Sequence, residues 1–252
     1  MTFAKLLLCA AIFTSMALAQ TLTPGSASYK IEQNGKSLGS ASYSIQNTPK
    51  TYIITSSGKM VLGKFSYAFS NSQKLDTSLN LITDLLSGVV NGKAVSFSAA
   101  SDTTGRQFQL DISANGQRQQ NKVDRDANTV LLTDLDPAAY MLLTQVAFRN
   151  PKDAWALIPK ENGFLVPVKF TALEDTKADY NHQSIMVHHT SAAVSTENAI
   201  TVELFYSGDG QLLEADLPEQ NFDVIREGFR LLHRPKPPAP PHGGPPPKPQ
   251  NQ

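Results

Sequence analysis

Apolar and polar positions alternate with a period of two through most of the chain. Tyr29 and Ile31 alternate with Lys30 and Glu32, and past Asn34-Gly35 the residues Ala41, Tyr43 and Ile45 alternate with Ser40, Ser42 and Ser44. This is the period of a half-buried strand, and Asn-Gly is the strongest short hairpin signal. Thr48-Pro49-Lys50 turns the chain into a third strand at 52–56. The cleanest alternation follows, with Phe65, Tyr67 and Phe69 set against Ser66, Ala68 and Ser70. Residues 75–86 space Leu75, Leu79, Ile82 and Leu86 as a helix could, but Thr77, Asn80 and Thr83 are weak helix formers and favour strand. Asn91-Gly92 leads to Val95, Phe97 and Ala99, and Thr104-Gly105 leads to Phe108, Leu110 and Ile112. Asn115-Gly116 opens a stretch at 117–124 so polar that an exposed sheet edge is expected. Residues 130–133 then run into the next element.

Residues 134–150 break the pattern and predict a helix. Asp136 is placed as N-cap, Pro137 stands at the first helical position, and Leu135 is set to staple onto Tyr140. Arg149 suits the last turn, and Asn150 precedes Pro151, where a helix stops. Tyr140, Met141, Leu142, Leu143, Val146, Ala147 and Phe148 encircle it, the mark of a buried helix. Strand patterns resume around Trp155, at 164–173 with Val166, Val168 and Phe170 on one face, at 180–189 and at 199–206. Gly208-Asp209-Gly210 turns the chain into Leu212 and Leu213. Residues 221–233 predict a short terminal helix with Phe222, Ile225, Phe229 and Leu232 on one side. No repeat of 20–50 residues appears, which argues against a solenoid or propeller. The expected fold is mainly β: a long, strongly curved antiparallel sheet, a half-barrel or clam, wrapped around one central helix.

Composition adds a compartment. Lys5 and the short apolar run at 6–18 end in Ala17-Leu18-Ala19, the layout of an export signal with mature start at Gln20. Cys9, the only cysteine, falls inside that leader, and Leu8 before it rules against a lipoprotein site. The expectation is a signal peptide at 1–19, one β-rich domain at 20–234, and a disordered tail at 235–252 that carries nine of the 16 prolines. An exported chain without disulfides fits a bacterial periplasm better than a small secreted scaffold. The whole chain holds 22 basic and 22 acidic residues, with no basic patch for nucleic acid and no second apolar run for a membrane span.

Tyr29-Lys30-Ile31 through Asn34-Gly35 to Leu38-Gly39, the helix start Asp134-Leu135-Asp136-Pro137, and Ser207-Gly208-Asp209-Gly210-Gln211-Leu212 resemble a family of uncharacterised bacterial exported proteins, a domain of unknown function. The resemblance spans 26–217 and implies an antiparallel half-barrel around a helix. A more distant likeness is to periplasmic lipoprotein carriers. It implies no catalytic residue.

The residues offer little chemistry. Gly35-Lys36-Ser37-Leu38-Gly39 has the G-x-S-x-G spacing, but a nucleophile elbow needs a strand-to-helix turn and this is a hairpin. Gly58 to Lys64 has phosphate-loop spacing, with Phe65 where Ser or Thr should hold magnesium. His182, His188 and His189 are read on one strand, His182 and His188 on a shared face about 20 Å apart, too far for one metal. Asp134 and Asp136 are better explained by capping than by acid–base work, and Glu174-Asp175 by a strand end. No cofactor, metal or catalytic residue is assigned. The ligand-binding candidates are Phe65, Tyr67, Phe69, Phe97 and Phe108, an aromatic concave face that either packs on the helix or leaves room for a lipid or other apolar ligand. The leading expectation is a non-enzymatic binder of an apolar ligand or cell-envelope component. The alternatives are an envelope interaction or assembly protein holding a partner through its proline-rich tail, and a hydrolase.

Overall fold

The computed structural model describes residues 22–149, 151–160 and 163–233. The expected leader at 1–19, Cys9, Asn150 and the tail at 235–252 lie outside them. The first half is a meander of eight antiparallel strands: β1 (Gly25–Gln33), β2 (Lys36–Asn47), β3 (Thr51–Leu62), β4 (Phe65–Asp76), β5 (Leu81–Val90), β6 (Lys93–Ser101), β7 (Gln107–Ala114) and β8 (Gln117–Asp124). Asn34-Gly35, Asn91-Gly92 and Asn115-Gly116 all take positive φ, the mirror-image turn whose twist matches that of the strands. Residues 75–86 are strand, turn and strand. Among the described residues the polar β8 pairs only with β7 and forms an edge.

β9 (Thr129–Leu131) leads to the helix α1 (Pro137–Arg149), and β10 (Trp155–Ile158) returns parallel to β9. The sheet continues through β11 (Phe164–Ala172), β12 (Thr176–Tyr180), β13 (Gln183–Val194), β14 (Ile200–Tyr206), β15 (Leu212–Leu217), β16 (Phe222–Arg226) and β17 (Phe229–Leu231). β16 pairs with both β15 and β1, Tyr29 opposite Arg226, so the last strands join the first in a 17-stranded sheet. Two sequence expectations fail here. Residues 221–233 form β16 and β17 rather than a helix, because β1 and β15 offer free edges and Gly228, at φ 79, turns the chain between them. Residues 180–189 are not one strand: Asn181 and His182 take φ 51 and 65 and make the β12–β13 turn.

The sheet curves around α1, whose residues from Pro137 to Val146 are buried on every side. The main core joins Tyr29, Ile31, Ile54, Phe108, Leu131, Tyr140, Leu143, Leu157 and Leu204. A smaller core of Ala178, Val187, Phe205, Leu213 and Phe229 lies on the opposite face of β14 and β15, since Phe205 and Leu213 alternate with Leu204 and Leu212.

Candidate functional site at the open end of the trough

Length decides where space is left. A helix of 13 residues spans ~20 Å, whereas strands of 12 residues, as β3 and β4 are, span ~40 Å. α1 cannot fill the trough from end to end. Its C-terminus is anchored at the end carrying the β4–β5 turn, where Arg149 donates to the Ser78 carbonyl at 2.8 Å and to the Gln145 carbonyl at 3.3 Å. Its N-terminus stops mid-trough, and beyond it lie two neighbouring cavities.

The first cavity, about 350 Å³, is walled by Met60, Phe65, Tyr67, Val90, Leu132, Leu135, Tyr140, Ile158, Ile200, Val202, Leu217 and Phe222. Its few polar groups are Thr133, Asp134, Lys160 and Gln220. The second, about 560 Å³, shares Tyr67, Val90, Leu132, Thr133, Asp134 and Lys160 with it and adds Phe97, Ile112 and the polar ends of β7 and β8. Lys160 Nζ lies 3.0 Å from Asp134 Oδ2, a half-exposed ion pair common to both. Burial, reinforced by Asp134 and Asp136, raises the Tyr67 hydroxyl well above its ordinary range, so it stays protonated. Leu135 is held at φ 58, a conformation costing a leucine about 1 kcal/mol. Its N–H donates to the Tyr140 hydroxyl at 3.0 Å, which fixes the corner.

Of the five aromatic candidates, Phe65 and Tyr67 line the first cavity, and Tyr67 and Phe97 the second. Phe69 is buried, stacked on Tyr67 at 5.6 Å and seated on Gly58. Phe108 is fully buried beneath the Arg125 guanidinium, 5.7 Å from the ring centre. Neither lines these cavities. The aliphatic wall from β14 and β15 carries no sequence signal, because ordinary core strands look the same.

A second feature was also hidden. The face that begins Phe65-x-Tyr67-x-Phe69 continues inward as Asn71 and Gln73, both buried. Asn71 pairs across with Ser56, and Gln73 with Asp84, which is fully buried. Asp136 gathers this patch: one carboxylate oxygen caps the helix by accepting the Ala138 N–H at 2.9 Å, and the other accepts the Ser56 hydroxyl at 2.9 Å and the Asn71 amide at 3.2 Å. Burial raises the pKa of Asp136, opposed by Ser56 and the helix N–H groups. Burial also holds Asp84 well above the ordinary carboxylate range, with Asp136 adding to the effect and the Asn71 amide opposing it. The visible signal was parity, polar residues falling on the inward positions of β3, β4 and β5.

The other candidate motifs separate. Ser37 lies in β2 beyond a hairpin turn, and Gly58 to Lys64 form the β3–β4 hairpin, so neither faces a helix N-terminus. His182 sits in a turn, and His188 pairs with Asp175 at 3.0 Å on the surface. His189 is buried, its Nε2 2.7 Å from Glu203, which also accepts the Ser191 hydroxyl at 2.9 Å. Serine, histidine and carboxylate thus converge in the wrong order for a triad: Glu203 sits in the middle, and the serine hydroxyl is engaged by a carboxylate instead of an imidazole. Among the described residues no group of three or more His, Cys, Asp or Glu could hold a metal, and no helix is long and apolar enough to cross a membrane.

No protein-family model matches the chain, and no curated protein matches it. Among solved structures it is similar to a DUF1089 family protein from Pseudomonas aeruginosa, at 10% identity and TM-score 0.44 over 71% of this chain and 90% of that one. It is also similar to a candidate lipoprotein from Parabacteroides distasonis, at 11% identity and TM-score 0.33 over 84% and 98%. A candidate exported protein with a YmcC-like fold from Bacteroides fragilis shows 7% identity and TM-score 0.31 over 84% and 99%.

Proposed function

We propose that this is an exported, non-enzymatic protein that binds an apolar ligand, a lipid or the apolar part of a cell-envelope component, in the space α1 leaves open. The observation that carries this reading is the first cavity: about 350 Å³, walled by aromatic and aliphatic side chains, with a single ion pair and few other polar groups. That is the size and lining of a small-molecule site, where apolar walls supply affinity and sparse polar groups set orientation. Helix and strand lengths explain why the space exists, so it is a consequence of the architecture rather than a packing defect. The leader-like sequence at 1–19 supports the exported part of this reading.

The test is titration with N-phenyl-1-naphthylamine, whose fluorescence rises in apolar surroundings, beside mass spectrometry of lipids extracted from protein purified from its native host. Ile200→Trp puts an indole into the cavity from the end of β14. It is expected to weaken the probe about tenfold or more while unfolding stays cooperative. Unchanged probe binding in that variant, together with lipid-free native protein, would overturn the reading.

A further inference from the structure

Hairpin ends that meet water ordinarily carry polar residues. At the cavity end of the molecule, the β1–β2 and β7–β8 tips do so, with Asn34-Gly35-Lys36 and Asn115-Gly116-Gln117. The β3–β4 tip does not: Val61 is 59% exposed, Phe65 40% and Leu62 37%. Leu62 stands opposite Phe65, and Val61 opposite Ser66. Strand alternation therefore sets Leu62 and Phe65 on one face of the hairpin and Val61 on the other. Exposed Val89 of β5 stands across from Ala68 on the same face as Val61. The tip is thus apolar on both sides, a wedge rather than a strand with one side buried.

On this tip and the adjoining β5–β6 tip the charges have one sign. Lys59 and Lys64 on this hairpin and Lys93 at the adjoining β5–β6 tip are exposed, and residues 59–66 and 87–96 contain no Asp or Glu. Asp134, across the cavity mouth, is engaged by Lys160. The turns at the opposite end of the meander mix signs, with Asp76, Asp102 and Asp126 among Lys50, Arg106 and Arg125.

We propose that the β3–β4 tip, with the β5–β6 tip beside it, docks on an anionic lipid bilayer: Val61, Leu62 and Phe65 enter the headgroup layer while Lys59, Lys64 and Lys93 meet lipid phosphates. Shallow apolar insertion flanked by basic residues is how a protein holds to a charged membrane surface without spanning it. A second copy of this chain fits less well. Two-fold symmetry would set three lysines against three lysines, and a hairpin tip offers far less than the ~800 Å² per partner of a stable interface. Phe65 also walls the first cavity, so docking brings the cavity mouth to the bilayer. The surface does not depend on what that cavity holds.

The experiment is flotation of the protein with phosphatidylcholine vesicles and with vesicles of equal parts phosphatidylcholine and phosphatidylglycerol, at low and high salt. Binding is expected to the anionic vesicles, weakened by salt. Joint Lys59→Gln, Lys64→Gln and Lys93→Gln should lower affinity by about fivefold per lysine. Val61→Ser with Leu62→Ser should lower it by about tenfold or more while leaving thermal unfolding and soluble naphthylamine binding unchanged. Wild-type protein that ignores anionic vesicles, or a serine variant that floats as wild type does, overturns the proposal whatever the probe shows. A wild-type dimer that the serine variant converts to monomer overturns it in favour of a second copy.

Discussion

At the scale of single residues, Asp136 has two jobs, capping α1 and tying it to Ser56 and Asn71 on β3 and β4. Asp136→Ala removes a cap and leaves two buried donors without a partner, so urea denaturation should show a loss of roughly 3 kcal/mol. Asp84 acts in the opposite direction. Its folded pKa is raised, so the folded state holds its proton at pH values where the unfolded chain, titrating near 4, has released it. Stability from this group is full below the unfolded pKa and is lost as pH rises through the folded one. Asp84→Asn should therefore raise the melting temperature at pH 7 and flatten its fall above pH 4, as read by calorimetry across pH; an unchanged pH profile would contradict this assignment. Gly58, first letter of a chance phosphate-loop pattern, is kept small by packing: an added Cβ would sit 2.5 Å from the Phe69 ring and 2.8 Å from the Ala41 Cβ. Gly58→Ala should cost about 1–3 kcal/mol in the same denaturation assay. Of these roles only the cap at Asp136 is written locally. Asp136 was legible as a cap because capping involves neighbours in sequence, whereas its bonds to residues 56 and 71 required the folded sheet.

At the scale of elements, period and turn chemistry carried most of the meander. Asn-Gly pairs and alternating Ser rows located the first hairpins, and Asp136-Pro137 located α1 to the residue. The two failures have different causes. Residues 221–233 carry a helical spacing at Phe222, Ile225, Phe229 and Leu232, but free edges on β1 and β15 reward strand pairing that no local propensity records. Asn181-His182 is a turn that alternation alone does not reveal. Burial on every side also sets the dynamics of α1. Hydrogen exchange should find its central amides opening only with global unfolding, while the edge strand β8, mostly exposed, exchanges by local fraying. Fast exchange at Leu142 and Leu143 would show that the helix leaves the trough independently.

At the scale of the whole molecule, β16 links the two halves, since among the described strands it is the one from the second half of the chain that pairs with β1. A chain ending at 217 should fail to unfold cooperatively by circular dichroism; a sharp transition would show that the meander folds without it. The sequence by itself determined the period-two strands, their turns and the one apolar helix, because those signals arise between residues within a few positions of each other. The tertiary structure decided the rest. How far a ~20 Å helix reaches along a ~40 Å trough is a comparison between separate elements. So is the placing of Asp84 beside Asp136, and the exposure of Val61, Leu62 and Phe65 together at one hairpin tip.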